Sequence, residues 1–549
     1  MATWFFASSP KNLNMMKSLT VLNKQSVVQV MKKLESAIVI SALLLLSLVN
    51  VYWIYKNSAP PGWDDATYLE ASERIYQSVN KGIDDLIKTS TEVLQRRAPL
   101  ISYVALPVYM ILGASSFKIA MIENLIWLVL FYVFFYLLLS KTFNKKIAIM
   151  SIFITSTMPL FYGLVRHFYV EFGLMAIIII WVYFLFKTKH LSKKKYLLIL
   201  GFITGLGLLM KITFPVYISG FLLLEACEFI RRRPSISRIV RNLVLFSVPI
   251  LVAAPWYIKN LPVVLWHAKR SLDPAVLQQF YYGSPFSPRV VYLTLLDITN
   301  YVISWYYLAI AAILFFGFVI RGKIRIDNYL LISLIPPFLY TLFSPNKDYR
   351  LILPIVPLFG FAISWMIWAW LKERSLIYLP IFLLIPFFMF VNVSVPAISI
   401  FNRFTLGPIL VSDTRIGLYA YWPDTSYWPI EETLRFIANS APGNKKRVIL
   451  TTSEIKEFNI NNLKYFAAKQ GMDLEFKSIA YSGISYSDIT NSLTKADFII
   501  ELESPHNEFN GENLRKYKEI SQKINWIKVD NDLILPDGYK LLIYKNPQL

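Results

Sequence analysis

The sequence predicts a multi-spanning α-helical membrane protein that ends in a small α/β domain. Three observations lead there: apolar blocks long enough to cross a bilayer, basic clusters confined to alternate connections, and a C-terminal stretch of alternating strand and helix patterns.

The apolar blocks come first. Of 549 residues, 55% are hydrophobic, 16% aromatic and only 17% charged. A soluble chain of this size needs more polar surface to cover its exterior. Blocks at 36–55, 117–139, 147–163, 170–186, 196–209, 215–230, 243–257, 301–320, 329–343, 351–371 and 376–395 give about eleven transmembrane helices. Proline-interrupted segments such as Ile335-Pro336-Pro337 blur that count. The apolar stretch 99–112 follows Arg96-Arg97, is short for a span, and fits an interfacial helix.

Lys and Arg set the orientation. The formal net charge is +21, yet residues 425–549 carry 16 basic against 16 acidic side chains. The excess lies between the apolar blocks, so it reports topology and a membrane-lipid surface, and nucleic acid is not an expected partner. Clusters at Lys141/Lys145/Lys146, Lys187/Lys189/Lys193/Lys194/Lys195, Arg231/Arg232/Arg233/Arg238/Arg241, Arg321/Lys323/Arg325 and Lys372/Arg374 fall on one side, with Lys32 and Lys33. That side is the cytoplasm, and an odd number of spans places the C-terminus outside. Residues 1–35 lack a short apolar core with a cleavage site and read as a cytoplasmic extension. The single cysteine, Cys227, excludes an intrachain disulfide and reads as a small buried hydrophobe.

The spans and their long external loops at 56–116 and 259–300 occupy 36–395, followed by a linker at 396–426 and an extracytoplasmic α/β domain at 427–549. In the tail, 448–452 and 498–502 read as buried strands, 462–470 and 512–523 as amphipathic helices, and 541–545 as a last strand. The tail has no glycine-rich phosphate loop, metal-ligand spacing or nucleophile elbow, so acceptor docking or support is its expected role.

Polar groups at a membrane boundary need a reason to be there. The external ends carry Asp64 and Asp65, Arg96 and Arg97, Arg166 with His167 and Glu171, Lys211, Lys259, and Lys347-Asp348-Arg350. Carboxylates beside cations suit a reaction on a donor with a phosphate leaving group. A carboxylate takes the acceptor's proton, and cations hold the departing phosphate. Structural readings compete: Asp64 suits a helix N-cap, Glu171 a partner for Arg166, Lys211 a snorkelling position and Arg350 a topological anchor.

Gly62-Trp63-Asp64-Asp65 resembles the acidic motif in the first external loop of GT-C glycosyltransferases. Arg97-Ala98-Pro99-Leu100 resembles the Pro-Pro-Leu segment of that loop, with Ala98 at the first Pro. Phe168-Tyr169-Val170-Glu171 resembles the second acidic position. The stretch from Gly205 to Lys211, Pro255-Trp256-Tyr257-Ile258-Lys259-Asn260 and Lys347-Asp348-Tyr349-Arg350 resemble later motifs of the superfamily. The pattern resembles the family 39-like proteins of the protein O-mannosyltransferase and aminoarabinose transferase branch. This resemblance implies a GT-C-like membrane enzyme that moves a sugar from a polyprenyl phosphate, such as dolichyl phosphate mannose, to a protein, lipid or glycan. It implies Asp64 as the acceptor-activating base or its direct support, with Asp65 beside it and Glu171 as a second active-site carboxylate. Lys211, Arg350, Arg166 and Lys347 would bind the donor phosphate. The superfamily often has Asp-Glu where this chain has Asp64-Asp65, which leaves their division of labour open. Asp64, Asp65 and Glu171 also admit a divalent Mg2+ or Mn2+. A transporter or flippase of lipid-linked glycans is the alternative function, although the charges sit at external ends and the halves show no repeat.

Overall fold

The computed structural model describes residues 37–277, 280–320, 329–400, 402–440, 446–480, 484–503, 511–522 and 525–548. Lys32, Lys33 and the cluster Arg321, Lys323 and Arg325 lie outside the described residues. Residues 1–49 and 50–549 form two compact units. The described part of the first is helical, with Ile38, Ile40, Leu44, Leu45 and Leu48 exposed.

Five helical runs among the described residues are long and apolar enough to cross a membrane: Ala37–Lys56, Phe117–Thr142, Val170–Lys187, Ile236–Arg270 and Tyr349–Asn392. A sixth is the pair Pro288–Val302 and Trp305–Ile320, bent by 110° at its break. The difference from about eleven expected spans has a physical source. Helices are cut short by proline and 3-10 turns, as at Lys145–Ser156, Pro159–Leu164 and Ile335–Phe343. Conversely, the 44-residue run Tyr349–Asn392 holds two expected spans, parted at Lys372, whose φ is 48°. The second long loop is itself helical at Ala254–Arg270 and Pro288–Asp297.

Val170–Lys187 is the central helix. Its eight-residue apolar stretch from Leu174 to Trp181 carries no charge, and Glu171 and Lys187 stand at the ends where the helix dipole favours each. It packs on Glu123–Thr142, Lys194–Met210 and the 3-10 segment Tyr349–Ile355. That packing buries Phe172, Leu174, Met175, Ile178 and Trp181. Glu171, at its first turn, therefore sits beside the start of the Tyr349 segment.

The C-terminal part forms a five-stranded sheet in the order β6 (Leu474–Ser478), β5 (Arg447–Thr451), β7 (Phe498–Leu502), β9 (Leu541–Lys545), β8 (Ile527–Val529). The first three strands are parallel and β9 runs antiparallel to both neighbours. Its core is Leu450, Ile479, Ile489, Leu493, Ile499, Tyr517 and Ile520. The helix Ile460–Lys469 begins with a full capping box, Asn459 with Asn462, and lies against Trp63–Val79. Between the last long helix and this sheet stand two hairpins, β1 (Phe404–Leu406) with β2 (Ile409–Ser412), and β3 (Arg415–Ile416) with β4 (Ala420–Tyr421). Cys227 is exposed rather than buried.

Candidate active site

Asp64 and Asp65 enter on the first turn of the helix Trp63–Val79. The N-cap is Gly62, and no side chain caps this end, so Asp64 is not the cap. Both carboxylates lie where the helix dipole favours negative charge. Successive helical residues point about 100° apart, which sends the two in different directions.

Asp64 faces two guanidiniums. Arg97 Nη1 lies 2.7 Å from its Oδ1 and Arg350 Nη2 donates to its Oδ2 at 2.6 Å. Arg350 comes from the 3-10 segment opened by Asp348, whose Oδ1 accepts the Arg350 backbone N–H at 3.1 Å. Its Nε lies 2.7 Å from Asp348 Oδ2 and 3.7 Å from Glu171 Oε1. Its guanidinium sits 4.6 Å over the Tyr169 ring. Lys211, at the end of Lys194–Met210, donates to Glu171 Oε1 at 2.6 Å. Asp64, Glu171, Lys211 and Arg350 thus meet in one place, although 286 residues separate Asp64 from Arg350. Arg97 joins them.

Asp65 turns to the other side and is buried. Its Oδ2 lies 3.3 Å from His167 Nδ1, and the other ring nitrogen of His167 is 3.2 Å from the Tyr419 carbonyl oxygen. The Tyr419 hydroxyl donates to Asp348 Oδ1 at 2.9 Å. A chain of polar contacts thus runs from Asp65 through His167, Tyr419 and Asp348 to Arg350 and Asp64. Asp65 Oδ1 and Glu171 Oε2 are buried without a hydrogen-bond partner. Each is an acceptor left over for a hydroxyl.

The electrostatics of the two neighbours differ in sign. Burial disfavours the Asp64 carboxylate, but Arg97 and Arg350 outweigh it and hold the group well below the usual carboxylate range. Burial dominates at Asp65 and raises its pKa, against the hydrogen bond from His167. Asp348 is also raised by burial, with Arg350 opposing.

Arg166 and Lys347 stand apart. Arg166 is fully buried, donates from Nε to Asn50 Oδ1 at 2.8 Å, and lies over the rings of Trp53, Tyr162 and Phe390. Lys347 donates from Nζ to the Leu342 carbonyl at 2.7 Å, and burial lowers its pKa to about 8. Among the described residues neither makes an ion pair or hydrogen bond to Asp64, Glu171, Lys211 or Arg350. Nor does Glu171 pair with Arg166; its partners are Lys211 and Arg350. Lys259 reaches Thr91 and Glu92 instead.

A divalent ion finds no ready cage. Asp64 commits both oxygens to arginines, Asp65 one to His167, and Glu171 one to Lys211. Among the described residues no three His, Cys, Asp or Glu side chains are arranged as metal ligands. The carboxylates are turned onto cations, so the residues do not fit an ion in this arrangement.

The sequence names Arg97, His167 and Asp348 among the external polar residues without giving them a role, and nothing in it singles out Tyr419. The first two sit beside recognised motifs, which was a usable signal. Tyr419 lies in the stretch expected as a linker, where neither periodicity nor motif marks it.

Residues 96–258 match the family described as dolichyl-phosphate-mannose-protein mannosyltransferase. Among solved structures, ArnT from Cupriavidus metallidurans bound to undecaprenyl phosphate superposes with a TM-score of 0.55 at 12% identity, covering 92% of this chain and 97% of that one. The apo form of the same protein gives 0.53 at 12% identity with the same coverage. The archaeal oligosaccharyltransferase AglB from Archaeoglobus fulgidus gives 0.48 at 12% identity, covering 93% of this chain and 74% of that one. No curated protein sequence matches the chain. The chain thus shares its overall fold with ArnT, and its long apolar helices are those of an integral membrane protein.

Proposed function

We propose that this enzyme transfers a sugar from a polyprenyl-phosphate donor to a hydroxyl or amine acceptor on a protein, lipid or glycan at the extracytoplasmic face. The observation that carries this reading is the clamp on Asp64. One carboxylate sits between Arg97 and Arg350, and Arg350 reaches on to Glu171, which Lys211 also pairs. Carboxylates and releasable cations within one cluster are what displacement of a phosphate requires.

The donor phosphate binds Arg350 and Lys211, competing with Asp64 and Glu171 for them. Arg350 suits the task because its fork binds phosphate in bidentate fashion. Removing that cation from Asp64 raises the proton affinity of its carboxylate, so donor binding converts a poor base into a better one. The acceptor then attacks C1 as the C1–O bond to phosphate breaks through an oxocarbenium-like state. The acceptor proton passes to Asp64, and polyprenyl phosphate leaves with its charge held by Arg350 and Lys211. Asp65 and Glu171 orient the acceptor and the cations. Arg166 braces the helices around it, and Lys347 sits outside the phosphate contacts.

Orientation follows the basic clusters: cytoplasmic N-terminus, about eleven spans across the plasma membrane and the C-terminal domain outside. The domain limits at 36–395, 396–426 and 427–549 belong to the same reading.

Purified protein, polyprenyl-phosphate sugar and membrane acceptors provide the test. Asp64→Asn is expected to lower transfer by about 100-fold or more while the protein stays folded and monodisperse. Undiminished transfer would remove Asp64 as the base. Lipid movement across the bilayer without any transfer would replace the enzyme reading with a flippase.

A further inference from the structure

Trp63, the residue before the two carboxylates, has a φ of +34°. A bulky L-residue rarely adopts this left-handed backbone, because Cβ crowds the following carbonyl. Such a conformation persists only where its surroundings hold it, and it marks functional sites.

What holds it comes from the C-terminal sheet region. Asn461 Nδ2 donates to the Trp63 carbonyl oxygen at 3.1 Å, across 398 residues of sequence. Thr67 Oγ1 donates to the same oxygen at 3.2 Å from within the helix. Asn461 is itself fixed, since its backbone N–H bonds Asn459 Oδ1 at 2.9 Å in the capping box. Lys456 packs on the preceding residue: a Cβ added at Gly62 would lie 3.0 Å from Lys456 Cγ and 3.4 Å from the Lys456 carbonyl oxygen. A side chain there would press on the Lys456 stem, which would have to give by a few tenths of an ångström, while the backbone oxygen lies at ordinary contact distance. Lys456 is anchored in turn, with Nζ 3.1 Å from the Tyr421 hydroxyl and 4.3 Å above that ring. The Asp65 backbone N–H closes the turn onto the Gly62 carbonyl at 2.9 Å.

We propose that Asn461 and Lys456 are positioning residues, through which the C-terminal region holds the Gly62-Trp63 peptide left-handed and sets the direction in which the first turn presents Asp64 and Asp65. Without the clamp, Trp63 relaxes to an ordinary helical or extended backbone. The first turn then rotates, and Asp64 leaves the fork formed by Arg97 and Arg350. The C-terminal region is on this account part of the active site rather than an appended support. The proposal rests on the reading of Asp64 and Asp65 as the reacting carboxylates.

Two measurements test it on the full-length protein in nanodiscs. Hydrogen exchange at the amides of residues 63–67 is compared between wild type and Asn461→Ala. Faster exchange there, with exchange across Val170–Lys187 unchanged, is expected; unchanged exchange at 63–67 overturns the clamp. This arm reads the clamp whether or not sugar is transferred, whereas failure of wild type to transfer sugar would overturn the functional reading alone. In the transfer assay, Asn461→Ala is expected to lower kcat about ten-fold with KM for the donor little changed. The same change made in a Trp63→Gly background is expected to cost under about two-fold, because glycine adopts a positive φ without help. Equal losses in both backgrounds would show that Asn461 acts elsewhere and would overturn the proposal.

Discussion

At the scale of single residues, two adjacent carboxylates live in different fields, and acid tells them apart. Asp64 gains Arg97 and Arg350 on folding, so its folded pKa lies below the ordinary aspartate value of 3.8. The stability it contributes is present above that value and is lost as pH falls through the folded pKa. Asp65 is raised above 3.8 by burial. Its contribution is full below 3.8 and is lost as pH rises through the folded pKa. Asparagine is a permanently neutral stand-in for each. Relative to wild type, Asp65→Asn is expected to gain most in Tm at about pH 7 and to lose that gain toward about pH 4. Asp64→Asn is expected to show a deficit that stays level over the same range. A thermal-shift pH series in detergent reads both, and parallel curves for the two variants would refute the contrast. Glu171, Lys211 and Arg350 are legible because each borders an apolar run, where a charge is costly without a role, and Asp64 because it opens the long loop after the first span. Arg97 was less so, since a basic residue before an interfacial helix has an ordinary topological explanation.

Helices and strands were legible in proportion to their length and period. In the C-terminal part the buried runs at Phe498–Leu502 and Leu541–Lys545 were read within a residue, because unbroken apolar stretches bounded by polar turns have few other solutions. The strand Leu474–Ser478 escaped, its pattern Leu-Glu-Phe-Lys-Ser being half charged. Hairpins β1–β2 and β3–β4 escaped entirely, as strands of two to four residues are too short to show a period. Yet β3–β4 reaches the site. Gly417, in its turn, has a φ of +71°, and a Cβ there would stand 2.3 Å from the Tyr349 hydroxyl and 3.1 Å from the Tyr301 ring. Leu418 N–H bonds that same Tyr349 hydroxyl, and Tyr419 bonds Asp348. Gly417→Ala must strain the backbone or push the hairpin outward, at about 1–3 kcal/mol. A lowered Tm together with weakened transfer is expected, because lifting Tyr419 leaves Asp348 short of a partner and Arg350 less firmly aimed. A lowered Tm with full transfer would show that the hairpin is only a brace.

For the whole molecule, one side of the membrane must hold both the carboxylate cluster and the C-terminal sheet. Asn461 and Lys456 touch Trp63 and Gly62, so the sheet region and the start of the Trp63–Val79 helix cannot lie on opposite faces. The distribution of Lys and Arg made this legible at low resolution, while the convergence of residues 64, 171, 211, 350 and 419 was not, since no single chain records which distant positions touch. If the basic clusters face the cytoplasm, the sheet faces outward, and the exposed Cys227, four residues before Arg231-Arg232-Arg233, faces inward. A membrane-impermeant maleimide distinguishes the two faces. Asn491→Cys, at an exposed position of the helix Tyr486–Lys495, made together with Cys227→Ser, is expected to label in intact cells. In the unaltered chain Cys227 is expected to label only after the membrane is permeabilised. The reverse pattern would put the sheet, and with it the clamp on Asp64, in the cytoplasm, where the donor would have to present its sugar from the inner leaflet.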